Sequence, residues 1–449
     1  MQFLPPTAPG HKLGSGHSHR PAVMTAVPHS GTANGSGVQE CGPWFRRRIT
    51  LAGDWRQYAS FRPIITRVDF TIHRCRQASM PMASAALRRL QSDSQDFWAP
   101  LHAVRRVDAS SASPLSFHRE FVSRSVPVVL LNAMTSPQWT RAMANWQDDA
   151  HLVAKSGAHP VTVDVTPFGL GDAVLELPGL REELFVMPEE RDMPMADFLR
   201  VLNDREGFDG VPYLSHQNDS LREQFPGLFD EVPPAMAMAV EAFGNEPEAV
   251  NIWMGDERAV SSMHKDHYEN FYCVVKGKKH FTLLPPSAVG CLYEREFPSA
   301  RYRHAESPEP EKEEHLVTDL VASECFHDKY PQHDKWSILS APDKGDTPWI
   351  PVDPLNIDTE RYPLAGTLNP IEVVLNAGEV LYLPSLWYHR AAHLCPTISV
   401  NYWHDMEFDC RYVYFNFVHD IGAIAALEGE QCTKKVSDED AEHGEGAEQ

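Results

Sequence analysis

No stretch of this sequence approaches the roughly 18 uninterrupted apolar residues that a membrane span needs, so a soluble chain with no membrane association is expected. Cysteine is sparse and scattered: eight residues, at 41, 75, 273, 291, 325, 395, 410 and 432, form no CxxC pair. That spacing excludes a zinc ribbon and argues against a disulfide framework, and it fits a reducing compartment, cytoplasmic and/or nuclear. Basic residues are outnumbered, 40 Lys plus Arg against 62 Asp plus Glu, for a formal charge of −22. Direct binding to nucleic acid is therefore not expected, because phosphate neutralisation needs Lys and Arg. No repeat of 20 to 50 residues is visible, which removes solenoids and propellers.

What is present is unevenly distributed. Residues 1–82 form a basic extension whose first part, rich in Pro, Gly, Ser, Thr and His, offers too little apolar surface to offset chain entropy and reads as disordered. Its Arg-rich, acid-poor second part has the composition of an organellar targeting segment, with a solvated basic tail as the alternative. Residues 426–449 read as a disordered acidic tail. Between them, 83–425 has the makings of one globular domain. Helical spacing of apolar residues marks Ala83–Leu90 and Pro194–Asn203, and strands are expected at Val126–Leu131, Val161–Val165, Asn251–Met254, Asn270–Val275 and Lys279–Leu284. The charged, weakly periodic stretch 303–348 reads as an acidic inserted surface loop, and its His304, His315, His327 and His333 as solvated.

The informative segment runs from His264 to Pro286. In an extended chain, side chains at i and i+2 share a face, so His264 and Asp266 present an imidazole and a carboxylate side by side. His-x-Asp/Glu alone is weak, since it also starts at His118, His267, His304 and His443. Only His264 is followed by an apolar strand, a Lys-Gly turn and a second apolar strand. A third ligand comes from Gly378–His389, a Gly-Glu turn, a short apolar strand and a Pro break ending in His389; His393, four residues on, falls in the following turn. Two imidazoles and one carboxylate form the facial triad of non-haem Fe(II) oxygenases, with zinc as the alternative metal.

Iron held in this way needs electrons to activate O2, and a chelating 2-oxo acid supplies them. Its far carboxylate needs a cation. Lys279, on the strand after the hairpin, is placed for that role, although by itself it reads more readily as a surface lysine on an edge strand. Tyr213, Ser261 and Asn270 can add neutral hydrogen bonds. Asp256, Glu257 and Glu269 are acids that either pair with a substrate ammonium or are solvated, and Trp387 and Tyr388 read as core aromatics.

His264–Pro286 and Gly378–His389 resemble the two signature segments of the JmjC family of the cupin superfamily. Ala249–Trp253, Trp349–Pro354 and Ser399–Glu407 extend the likeness over about residues 83–420. The resemblance implies an α+β, mainly β fold: a double-stranded β-helix, or jelly roll, with N-terminal helical elements and a C-terminal helical segment. It implies Fe(II) on His264, Asp266 and His389, with 2-oxoglutarate and O2 as cosubstrates. The 2-oxoglutarate C5 carboxylate would lie on Lys279 and Tyr213, Ser261 would stand where relatives have Thr, and Asn270 and Asn401 would line the pocket. The activity implied is (3S)-lysyl hydroxylation of GTPases of the developmentally regulated GTP-binding class. An N-methyl-lysine demethylase or an endopeptidase acting on methylated histone tails is the alternative, and a non-catalytic cupin-like binding module the second. Apolar residues within Asp409–Ile424 leave a homodimer open.

Overall fold

The computed structural model describes residues 82–98, 103–176, 183–205, 207–307, 316–319 and 335–444. Strand labels follow chain order. The largest sheet has nine strands in the spatial order β1 (Arg105–Asp108), β2 (Val128–Leu131), β18 (Val380–Leu383), β11 (Tyr268–Lys276), β20 (Thr397–Asp405), β9 (Ala249–Gly255), β8 (Val211–Leu214), β3 (Val161–Thr166) and β7 (Glu189–Met193). A five-stranded sheet runs β17 (Ile371–Asn376), β12 (Lys278–Leu284), β19 (Tyr388–His393), β10 (Val260–Lys265) and β4 (Leu170–Gly171). A six-stranded sheet holds β14 (Leu316–Asp319), β15 (Trp336–Ser340), β13 (Arg295–His304), β6 (Glu183–Met187) and β5 (Ala173–Glu176), with β16 (Asp346–Trp349) also paired to β13. This is the expected jelly roll.

The apolar pattern explains why two sheets face each other. Along β11, Phe271, Cys273 and Val275 enter the core beneath the helices, whereas Tyr272 and Val274 enter the core shared with the five-stranded sheet. A strand covered on both faces carries a continuous apolar run rather than an alternating one. Opposite it on β12, Lys279, Phe281 and Leu283 share one face by the two-residue period, and Phe281 and Leu283 pack in that same core. The turn that carries the chain from β11 in the nine-stranded sheet to β12 in the five-stranded sheet, where the sequence suggested a hairpin, is made at Gly277, with φ +82°, where an added Cβ would fall 2.4 Å from the Pro396 carbonyl oxygen. Only glycine fits there.

The helix Met195–Asn203 buries Met195, Phe198, Leu199, Val201 and Leu202, the stripe that its spacing predicts. Met82–Trp98 begins within a residue of its expectation, and the five expected strands coincide with β2, β3, β9, β11 and β12.

Three expectations need correction. Within 303–348 the described residues are largely strand: β13 ends at His304, and β14, β15 and β16 follow, with Trp336 and Ile338 fully buried. Flanking charges mask the short Trp-Ser-Ile-Leu-Ser alternation in the sequence. His304 is buried too, its Nε2 3.2 Å from Asp209 and its ring against Trp336, so it is not solvated; His315, His327 and His333 lie outside the described residues. The acidic tail is helical as far as Gly444, because the helix Cys410–Gly444 continues through it; Ala, Glu, Gln and Lys there are good helix formers. The basic extension before residue 82 lies outside the described residues.

Candidate metal centre

His264, near the end of β10, stands directly opposite His389 on β19, and their rings lie 4.2 Å apart. The backbone settles which nitrogen each ring offers. His264 Nδ1 donates to the Ser262 carbonyl at 2.7 Å, and His389 Nδ1 to the Trp387 carbonyl at 3.1 Å. Both Nε2 atoms are thereby left with free lone pairs. Asp266 follows β10, with Oδ2 3.6 Å from His389 Nε2. Its carbonyl accepts a 2.9 Å bond from Leu386 N, which ties the turn before β19 to the first two ligands. One donor atom from each of the three residues lies within 4.8 Å of the others, a separation suited to a single ion. Burial, then the neighbouring His264, depresses the His389 pKa to about 4, so its ring is neutral at physiological pH, as a ligand must be.

A buried cation lies in the same barrel. Lys279 is 1% exposed, and its Nζ donates to Tyr213 Oη at 3.0 Å and meets His393 Nε2 at 2.9 Å. Among the described residues no carboxylate pairs with it. Burial therefore pushes its pKa well below the usual lysine value and raises that of the Tyr213 hydroxyl. An ammonium desolvated without a counter-charge is costly unless an anion joins it, so this end of the barrel is built to receive one.

The cavity beside His264 is lined by Tyr213, Ser261, Trp253 and Trp349, and by the carboxylates of Asp164 and Asp172. Trp349 stacks on His264 with centroids 5.8 Å apart and planes at 11°. Its Nε1 donates to Ser262 Oγ at 2.9 Å, and Ser262 Oγ donates to the Asp172 carbonyl at 2.5 Å. Asp164 accepts from Ser215 Oγ. Burial raises the Asp164 pKa to about 7, with the nearby Asp172 adding to the shift, and burial raises that of Asp172 as well. Neither pairs with a basic side chain among the described residues.

The structure thus brings together His264, Asp266, His389, Lys279, Tyr213 and Ser261. Asn270 and Asn401 sit one layer back: Asn401 Nδ2 donates to Asn270 Oδ1 at 3.3 Å, and Asn401 Oδ1 accepts from Trp253 Nε1 at 3.0 Å, which fixes a cavity wall. His267 turns away and packs against Phe408 and Tyr412. Asp256 and Glu269 are neither solvated nor free for a substrate. Asp256 is fully buried on Arg258, and Glu269 accepts from the hydroxyls of Tyr382 and Ser385. Glu257 pairs with Arg205. Trp387 and Tyr388 are core, as expected. His393 lies inside β19 rather than in a turn. Sequence reasoning missed Asp164, Asp172 and His393 as site residues, since they lie outside the two signature segments or beyond their end. Trp349 was visible there only as part of a motif.

The cupin-like domain family matches residues 114–410, and the chain belongs to it. Its JmjC relatives include the human bifunctional peptidase and (3S)-lysyl hydroxylase JMJD7, 36% identical over 355 residues that cover 77% of this chain and 100% of that protein. The JmjC domain-containing protein E of Dictyostelium discoideum is 34% identical over 74% of this chain and 92% of its own length. The lysine-specific demethylase JMJ32 of Arabidopsis thaliana is 35% identical over 71% of this chain and 86% of its own. The chain is a JmjC-type oxygenase.

Proposed function

We propose that the chain is an Fe(II)- and 2-oxoglutarate-dependent protein hydroxylase that acts on a lysine side chain, at C3, in GTPases of the developmentally regulated GTP-binding class. The observation that carries this reading is the convergence of three ligand atoms in the same barrel as a buried lysine that meets no carboxylate among the described residues. Similarity along the full length of a human lysyl hydroxylase supports the substrate class.

Each residue then has a task. His264, Asp266 and His389 would hold the metal through two imidazole nitrogens and one carboxylate oxygen. Lys279 would donate to the C5 carboxylate, with Tyr213 and Ser261 beside it; Asn401, bonded to Asn270, steadies Trp253. When bound, iron and 2-oxoglutarate supply the activation of O2, coupled to decarboxylation of the oxo acid to succinate. The protein's part is orientation and the exclusion of water. Asp164 and Asp172, desolvated and paired with no basic side chain among the described residues, suit a cationic substrate group, and a lysine ε-ammonium meets that need.

Incubation of iron-loaded protein with 2-oxoglutarate, O2 and candidate GTPases should add the mass of one oxygen to a lysine, located by fragment mass spectrometry. Loss of a methyl group from a methylated lysine would instead favour demethylation, the activity in the Arabidopsis relative's name. Cleavage of methylated histone peptides would favour the peptidase activity in the human relative's name. Binding of a partner with no succinate formed would return the chain to a non-catalytic module.

A homodimer through the C-terminal helix belongs to the same proposal, since Val413, Tyr414 and Phe417 are 65%, 67% and 62% exposed at helical spacing. A monomer mass independent of concentration in light scattering would reject it. Cys273, Cys291, Cys395 and Cys410 are free thiols, which fits a cytoplasmic or nuclear location. Mitochondrial import of a reporter fused to residues 1–82 would move it.

A further inference from the structure

Lys279 has a neighbour that the metal chemistry does not use. On β19 the residue paired with Lys279 of β12 is His393, and its Nε2 lies 2.9 Å from the lysine Nζ. On the other side of the ring, Nδ1 lies 3.2 Å from the Ala259 carbonyl oxygen. A carbonyl oxygen only accepts, so Nδ1 carries the proton and donates. Nε2 is therefore a bare acceptor, and Lys279 donates to it. The ring is 2% exposed, and burial, followed by the charge of Lys279, keeps it neutral.

An ammonium has three N–H donors. Two are taken, by His393 Nε2 and by Tyr213 Oη. The third remains for an incoming carboxylate. The grip also spans the barrel, since Lys279 and His393 belong to the five-stranded sheet and Tyr213 to the nine-stranded one. Where the two sides meet, β9 carries Gly255, at which an added Cβ would lie 2.9 Å from both His393 Cε1 and Tyr213 Cδ2. The absent side chain makes room for the histidine against the tyrosine, whose rings meet edge to face at 5.0 Å.

We propose that His393 is a positioning residue for the oxo acid: by accepting one Nζ–H it holds Lys279 so that a remaining N–H faces the carboxylate far from the metal. The proposal deepens the hydroxylase reading and rests on it. His393 thereby sets the preference for a dicarboxylic oxo acid over a monocarboxylic one.

The test uses the full chain loaded with Mn(II), which does not turn over, and calorimetric titration with 2-oxoglutarate and with 2-oxobutyrate, which lacks the far carboxylate. His393→Leu removes the acceptor and keeps bulk. Loss of one hydrogen bond to a charged group should weaken 2-oxoglutarate binding by about tenfold to a hundredfold and leave 2-oxobutyrate within about twofold. His393→Gln, whose amide oxygen can accept from Lys279, should restore most of the loss. In the iron enzyme the leucine variant should raise KM for 2-oxoglutarate far more than it lowers kcat. If His393→Leu does not fold, His393→Asn, too short to reach Nζ, takes its place with the same expectation. Equal weakening toward both acids, an unchanged 2-oxoglutarate affinity, or no rescue by glutamine overturns the positioning role and leaves the hydroxylase reading standing. A wild-type chain that does not bind 2-oxoglutarate overturns both.

Discussion

The two facing sheets divide the labour unequally. The five-stranded sheet carries the chemistry-bearing groups: His264 on β10, His389 and His393 on β19 and Lys279 on β12, with Asp266 in the turn after β10. The nine-stranded sheet contributes mainly bulk and neutral hydrogen bonds, from Tyr213, Trp253, Asn270 and Asn401, together with the carboxylate of Asp164 on β3. A sheet covered on both faces is a rigid backing, and a site needs one wall that is fixed and one that presents ligands. Changes in the first sheet should therefore damage activity more than stability, and changes in the second the reverse.

The largest effect tests the first half. His264→Ala, or Asp266→Ala, should abolish succinate formation and metal binding, with a thermal midpoint close to that of the metal-free wild type; unimpaired turnover would show that the ligands lie elsewhere. Next comes Lys279→Met, which keeps the stem and removes the charge. It should raise KM for 2-oxoglutarate by about a hundredfold. Because the lysine is buried without an anion, the variant should be no less stable in urea than the wild type.

The second half is tested by His404, on β20 of the nine-stranded sheet. It is fully buried, with Nδ1 3.1 Å from the Asn245 side-chain oxygen, and burial depresses its pKa to about 4. Its folded pKa lies below the unfolded value of about 6.5, so the unfolded chain takes up the proton first. The stability that this ring contributes is present above pH 6.5 and is lost as the pH falls toward 4, by up to about 3 kcal/mol. Urea unfolding across that range should show the loss, and His404→Gln should flatten the slope relative to the wild type. The smallest effect concerns the carboxylates that line the cavity beside His264. Asp172→Asn should lower kcat/KM for a lysyl peptide by about tenfold, an ordinary value for one charged hydrogen bond, and leave succinate formation without substrate unchanged. An equal loss in both assays would make Asp172 a structural residue.

Legibility in the sequence tracked how local each signal was. His264, Asp266 and the Lys-Gly turn lie within the single stretch 264–277, where alternation orients the side chains, so they could be singled out directly. β9 and β11 were readable because both-face burial leaves long apolar runs. β15 was not, because five residues of alternation between charged flanks give a weak signal, and its burial depends on β13 and β14. Asp256 and Glu269 looked solvated because their partners, Arg258 aside, lie far along the chain: Tyr382 is 113 residues from Glu269. The acidic end of the chain misled in another way, since composition reports whether a segment can bury a core and not whether it can extend an existing helix.

The sequence by itself brought forward the candidate ligands His264, Asp266 and His389 through strand periodicity and donor chemistry, and its resemblance to the JmjC segments implied the role of Lys279 and the jelly-roll class. Only the tertiary structure decided which nitrogen of each ligating histidine is free, that Lys279 is held between Tyr213 and His393, and that Asp164 and Asp172 face the metal cavity. The Lys279 and Asp172 contacts join residues 66 to 114 positions apart, and although each ring nitrogen is fixed by a carbonyl only two residues away, no local pattern encodes the register that brings the two rings together.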